Sequence, residues 1–335
     1  MKIINSLSDI NLRNENFPIF FWDKWKTVEE KLHHKQWLLC VDDEGDVVAF
    51  TIYKMKFFKK ADYLYAPLDK NGERLTVEKE KTFLDEFHDF LKHEKMADVI
   101  FPPSHIVVFK TKPANCLFYE LGLLKVDLEK DEEDILSNFY KENRRQLRRA
   151  EEKKLGIKEG LPIIHNFYSL YKNSANHKSF QLLDYSYFEN ISELLPDNIY
   201  CCNVECDGQI DAAYFCLKDS KRIYPLYSGT SFRPQFKGSK KYLLWNIYLK
   251  SKKDGLKEYI SGGYRYGLSE KDPLHNVHLF KLGMGAEIED GYHFIKIINP
   301  AKYAIVNAAL KCKSLLIGRD CSFVNLKGLE VKKSE

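Results

Sequence analysis

Apolar and polar residues alternate in short runs along most of the chain, and one such run occurs twice. Val41-Asp42-Asp43-Glu44-Gly45-Asp46-Val47-Val48-Ala49 and Val204-Glu205-Cys206-Asp207-Gly208-Gln209-Ile210-Asp211-Ala212 share the form V-[DE]-x-[DE]-G-x-[VI]-x-A. Apolar runs flanking an acidic residue and a glycine predict two antiparallel strands joined by a tight turn, where glycine supplies a positive φ.

The likeness extends past the hairpins. After the first copy come Tyr63-Leu64-Tyr65, a polar loop, a helical pattern over 78–95 and the short apolar run 98–101. After the second come Ile223-Tyr224-Pro225-Leu226-Tyr227, a loop, a helical pattern over 240–253 and the run 258–261. The order β-β-β-α-β at similar offsets predicts two related α/β domains. Elsewhere, the prolines in and just after 102–112 predict an irregular crossing, 123–128 a strand, 131–154 one helix, and 166–194 helices broken around 173–178. His177, at that break, is either a base or, as a lone surface histidine near a helix break more often is, neither base nor ligand.

The aromatic run Phe17-Pro18-Ile19-Phe20-Phe21-Trp22 before Trp25 reads as a core-forming entry segment. The alternative is an aromatic and cationic wall using Trp25 and Lys26.

Composition narrows the class. The 335 residues suffice for two domains with cores of their own, and 44% hydrophobic residues fit a folded chain. With 52 basic against 48 acidic residues the net charge is +4, so a polyanion must be met by a local patch. Eight scattered cysteines without paired C-x-x-C motifs exclude a zinc framework and point to a reducing, cytoplasmic setting. No apolar run is long enough for a membrane span, so neither secretion nor insertion is expected, and a monomer is expected.

The local basic patch lies in the helix after the first domain, where Arg144, Arg145, Arg148 and Arg149 recur at three- and four-residue spacings. Such a helix is either a solvated linker or a surface for a phosphate-rich ligand, since arginine donates bidentately to phosphate.

Candidate chemistry concentrates in 223–285. Gln235, Lys237, Gly238 and Ser239 lie between a strand and a helix, a turn whose free N–H groups and helix dipole suit an anion. Gly262 and Gly263 end a strand, which allows close approach to the backbone. Phe280 and Lys281 precede Gly283, and a lysine there is either a surface residue or one that neutralises an oxyanion or phosphate. No Ser-His-Asp order, catalytic carboxylate pair, H-E-x-x-H or Walker loop occurs, and no metal ligand set.

The turn Gln235-x-x-Gly238 between strand and helix resembles the acyl-CoA loop of GNAT acetyltransferases, with Lys240 replacing its last small residue. More specifically, the chain resembles the Fem family of aminoacyl and peptidyltransferases. The matching stretches are Leu121-Gly122-Leu123 with the following basic helix, Tyr227-Ser228-Gly229, Leu243-Leu244-Trp245, Ser261-Gly262-Gly263 and Phe280-Lys281. The resemblance implies an α+β fold of two tandem GNAT-like domains, each a mixed sheet flanked by helices, with a cleft between them. Its expected boundaries are 1–128 on the acceptor side, a basic linking helix over 129–160, and 161–335 on the donor side.

The resemblance also implies an N-acyl or aminoacyltransferase acting on an amine of a cell-envelope precursor of peptidoglycan or amino-sugar type. Acyl-CoA or aminoacyl-tRNA would be co-substrate, with no bound cofactor. Lys281 and Phe280 would flank the donor ester, and Tyr227, Ser228, Gly262 and Gly263 would join the turn in binding the donor. Lys26, Trp25 and Arg265 would meet the acceptor. The family's acidic base aligns near Phe101-Pro102-Pro103-Ser104, where no carboxylate stands, and the helical arm of several tRNA-dependent members is missing. A non-catalytic nucleotide- or tRNA-binding protein on the duplicated fold is the alternative reading.

Overall fold

In the computed structural model, residues 1–178, 182–317 and 329–334 are described. The elements run β1 (Lys2–Ile4), α1 (Asp23–Lys31), β2 (Gln36–Val41), β3 (Val47–Lys54), β4 (Lys59–Tyr63), α2 (Val77–His93), β5 (Val99–Phe101), β6 (Leu117–Asp127), α3 (Glu132–Ser137) and α4 (Lys141–Glu152). They continue through β7 (Gly156–Glu159), α5 (Ile164–Lys178), α6 (Tyr185–Leu194), β8 (Ile199–Cys206), β9 (Gln209–Lys218), β10 (Arg222–Thr230) and α7 (Ser239–Lys253). The last are β11 (Glu258–Tyr264), α8 (Pro273–Gly283), β12 (Glu287–Ile297), α9 (Pro300–Ile317) and β13 (Lys332–Lys333).

Both copies of the repeated pattern are hairpins, β2–β3 and β8–β9, and each continues in the same order. The next strand adds antiparallel, a helix crosses, and the strand after it adds parallel: β4, α2, β5 in one copy and β10, α7, β11 in the other. The turns differ. The first spans Asp42 to Asp46 with Gly45 at φ +90, whereas a register shift after Val204 draws the second to Asp207 and Gly208, at φ +50 and +78. Positive φ at both residues matches the right-handed strand twist.

Contacts divide the chain into two units. Unit 1 holds 1–123, 263–268 and 289–335, and unit 2 holds 124–262 and 269–288. The sequence expects contiguous domains; the C-terminal segment instead groups with unit 1, because β12 pairs with β5 there, Lys296 opposite Ile100.

In unit 1 the sheet order is β1-β2-β3-β4-β5-β12. Tyr63, Phe50 and Phe87 pack ring to ring between this sheet and α2, and Tyr63 Oη lies 2.7 Å from His88 Nε2. Phe58, Val99, Phe101, Ile295 and Val306 form a second cluster. The aromatic entry segment is core: Phe17, Ile19, Phe20 and Phe21 are buried, and the Trp37 indole N–H donates to the Phe20 carbonyl at 3.0 Å.

In unit 2 the order is β11-β10-β9-β8-β7. Phe167, Phe188 and Phe215 pack where α5 and α6 meet the sheet, while Tyr248 of α7 packs on Tyr259 with centroids 4.7 Å apart. The expected single helix over 131–154 is two. Between them Phe139 turns inward, edge-on to Trp245 at 5.6 Å, and Arg144 of α4 donates to the Ser137 and Phe139 carbonyls at 2.8 and 2.7 Å. These bonds satisfy carbonyls that the end of α3 leaves open. Helix α5 runs through 173–178, where a break is expected; the side chain of His177 lies outside the described residues.

Candidate active site

The turn before α7 holds an anion, and that anion belongs to the chain. Asp211 of β9 is fully buried, and its carboxylate accepts the Gln235 amide at 2.8 Å, the Phe236 amide at 3.0 Å and the Ser239 hydroxyl at 2.7 Å. Gln209 extends the network, its amide donating to Asp211 at 3.2 Å and to the Arg233 carbonyl at 2.8 Å. The sequence reads this turn as a site for a donor's phosphates; in the structure an internal carboxylate instead takes the Gln235 and Phe236 amides and the Ser239 hydroxyl. Gln235 and Lys237 have exposed side chains, and Gly238 is buried under the Phe236 ring, which a Cβ would meet at 2.3 Å. Asp211 is the residue that sequence reading passes over; its signal was an acidic residue where the first hairpin has Val48.

In the first turn of α7, Lys240 places its ammonium 3.4 Å from Ser228 Oγ, 5.2 Å from the centroid of the Phe280 ring and 5.6 Å from that of Tyr214. Phe280, Ser228 and Lys240 are therefore brought together, with Lys240 added to the sequence candidates. Phe280 and Lys281 stand in the last turn of α8, where the sequence leaves a surface strand open. Burial pushes the Lys281 ammonium down to about 8, and no carboxylate among the described residues offsets it. An unpaired, partly desolvated cation of this kind is poised to receive negative charge.

Two glycines set the surrounding backbone. At Gly229 a Cβ would lie 2.4 Å from the Leu170 carbonyl carbon, so α5 can pack on β10 only because the side chain is absent. This close approach holds Tyr227 against Tyr171 at 5.5 Å and Phe188 at 5.2 Å, and burial raises the Tyr227 phenol well above its usual range. At Gly283 a Cβ would lie 2.7 Å from Asn143 Nδ2, and that amide donates to the Gly283 carbonyl at 2.6 Å. The first turn of α4 is thereby bonded to the end of α8, next to Lys281.

The basic helix divides by role. Arg144 caps α3 and Arg145 pairs with Glu142 at 2.7 Å, while Arg148 and Arg149 are exposed. Lys141, Arg144, Arg145 and Arg148 line a groove of about 500 Å³. Lys241 of α7 donates to Gln146 of α4 at 2.8 Å, and burial lowers its ammonium.

In unit 1, Trp25 is buried edge-on to Phe20, and its indole N–H donates to Glu29 at 3.1 Å. It is core, so the expectation of Trp25 as an acceptor-binding wall is corrected; Lys26 beside it is half-exposed. Gly262 has φ +100, and β11 continues past both glycines to Tyr264; a Cβ on Gly263 would meet the His105 ring at 3.0 Å. Burial pushes the Tyr119 phenol up to about 12, and the nearby Arg265 offsets part of that rise.

Two carboxylates stand near the 102–112 crossing, although its sequence has none. Asp62, opposite Phe101 in register, is paired by Lys35 at 3.1 Å and Lys60 at 2.8 Å. Glu80 is buried and accepts the Lys110 and Thr111 amides at 2.6 and 3.0 Å and Arg74 at 3.1 Å. Both arrive from other elements and both are neutralised.

Among the described residues no helix is long and apolar enough to cross a membrane, no group of His, Cys, Asp or Glu could hold a metal ion, and the seven described cysteines are free.

Residues 122–210 match the profile of the FemAB family. A comparison with curated proteins finds no match. Among solved structures, FemX is similar at a TM-score of 0.68 and 14% identity, over 91% of this chain and 100% of that one. A conserved protein of unknown function from Bacteroides thetaiotaomicron VPI-5482 is similar at 0.53 and 10% identity, over 85% of this chain and 92% of that one. A tandem GNAT protein from the clavulanic acid biosynthesis pathway gives 0.46 and 10% identity, over 88% and 93%. Residues 122–210 are thus similar to the FemAB family, and the chain has the mixed-sheet α+β fold of FemX.

Proposed function

We propose that this chain is an aminoacyl- or N-acyltransferase that moves its group onto an amine of a cell-envelope precursor, with Lys281 stabilising the transition state. The observation that carries the reading is the unpaired, partly buried Lys281 ammonium at the end of α8, bonded through Gly283 to the FemAB-matched segment at Asn143. In the reaction the amine nitrogen attacks the donor carbonyl carbon, and the carbonyl oxygen takes negative charge that Lys281 meets. Collapse of the tetrahedral species breaks the bond to the leaving oxygen or sulfur, which takes the proton released by the amine. Positioning supplies the rest, with no covalent nucleophile.

Two features favour aminoacyl-tRNA over acyl-CoA as donor. Asp211 fills the turn that a CoA diphosphate would need, with a negative charge in place. The groove on α4, with exposed Arg148 beside it, suits a longer polyanion. The test is transfer to an amine acceptor from charged tRNA and from acyl-CoA, using wild type and Lys281→Ala. Loss of about 10²-fold or more in turnover on substitution supports the reading, and unchanged turnover overturns the role of Lys281.

A second reading, a polyanion-binding protein without transfer activity, is favoured by one observation: both carboxylates near the crossing are neutralised by Lys or Arg. Strongly salt-dependent RNA affinity with no transfer from either donor would select it.

A further inference from the structure

We infer that the first repeat holds a binding site for a linear polyamine between the tip of its hairpin and the first turns of α2. In both repeats the hairpin brings a carboxylate to the start of the following helix. In unit 2 that carboxylate, Asp211, is met by four donors. In unit 1 it is Asp46, which is 6% exposed and whose carboxylate makes no hydrogen bond or ion pair among the described residues. Burial and the neighbouring Asp42 raise its pKa.

Asp46 faces a cavity of about 440 Å³ lined also by Asp42, Asp43, Glu44, Glu78 and Glu86. The positive end of α2 would ordinarily draw an anion. Six carboxylates reverse that preference, and the one lysine in the lining, Lys79, is engaged by Glu44 at 2.8 Å in an exposed pair that a ligand can displace at little cost. No group among the described residues has metal-ligand geometry, so a compact divalent ion is not the matching cation. Phe83 gives the cavity an apolar wall. Spaced ammonium groups joined by methylenes match such a lining: charge for the carboxylates, and a stem for the ring.

Titration of the full chain with spermidine, followed by calorimetry at low salt, tests this. Saturable one-to-one binding is expected, weakened at least tenfold by Asp46→Asn and unchanged by Glu193→Gln, an exposed carboxylate on α6. Thermal melting checks that the Asp46→Asn variant folds, and Glu86→Gln, at an exposed position, serves if it does not, with a loss of about threefold expected. Displacement by 1,4-diaminobutane ahead of Mg²⁺ at equal charge supports the site. Absence of saturation, wild-type affinity in Asp46→Asn, or equal displacement by Mg²⁺ overturns it.

Discussion

Asp211 accepts the Ser239 hydroxyl at 2.7 Å, a bond between the second strand of one hairpin and the first residue of the helix that follows two elements later. Together with the Gln235 and Phe236 amides it fixes the 235–239 turn from below. Removing a buried charged acceptor leaves three donors unpaired. Asp211→Ala is expected to destabilise the chain by about 3–5 kcal/mol, and Asp211→Asn by less, because an amide oxygen still accepts. Urea unfolding measures both, and a cost below ~1 kcal/mol for alanine would show that the turn holds itself. The wild type is also expected to show no thermal stabilisation by CoA, since the carboxylate stands where a diphosphate would bind.

Lys281 trades stability for charge. Its ammonium sits at about 8 in the folded chain against an ordinary 10.5, so the folded state binds fewer protons than the unfolded one between those values. Stability from this group thus rises with pH through that window, and its cost is fully present below about 8. Lys281→Met is expected to raise stability at neutral pH by on the order of 1–3 kcal/mol while reducing transfer by about 10²–10³-fold. Turnover in wild type should fall as pH rises through about 8, and that limb should vanish in the variant. Turnover that holds steady through pH 9 would remove the charge from the mechanism.

The fold was legible because it repeats: hairpin, third strand, helix and parallel strand are local patterns, and both copies fold as read. Contacts that join distant segments were not legible. Asp211 lies 24 residues before Gln235, and nothing in either run announces that one will neutralise the other. Trp25 reads as core or as a ligand wall because aromatic density does not distinguish the two, and its burial places it in the core. Lys281 reads equally as a surface lysine or as one that meets negative charge, because spacing alone does not show its burial, and nothing near Gly283 announces that Asn143 will pack against it. Carboxylates near the crossing were sought within its own sequence, and they arrive from β4 and α2 instead.

Gly229 tests the packing of α5 on β10. A methyl there would overlap the backbone at Leu170 and Tyr171 at 2.4 and 2.5 Å, and backbone cannot swing aside as a flexible side chain would. Gly229→Ala is expected to cost about 1–3 kcal/mol and to loosen the packing around Tyr227. Gly156→Ala is the control, because nothing lies within 4 Å of its Cβ. Equal melting temperatures for the two variants would mean that α5 can withdraw without loss.

The arginines of α4 separate a structural role from a binding one. Arg144 donates to carbonyls at the end of α3, so Arg144→Ala is expected to lower stability by about 1–2 kcal/mol. Arg148 and Arg149 are exposed and serve no such cap. Converting both to Glu should leave melting within ~0.5 kcal/mol of wild type while weakening tRNA binding and flattening its dependence on salt, as two phosphate contacts are lost. Filter binding across a salt series reads the slope. If the double variant keeps the wild-type slope, the polyanion runs elsewhere and α4 is a solvated linker.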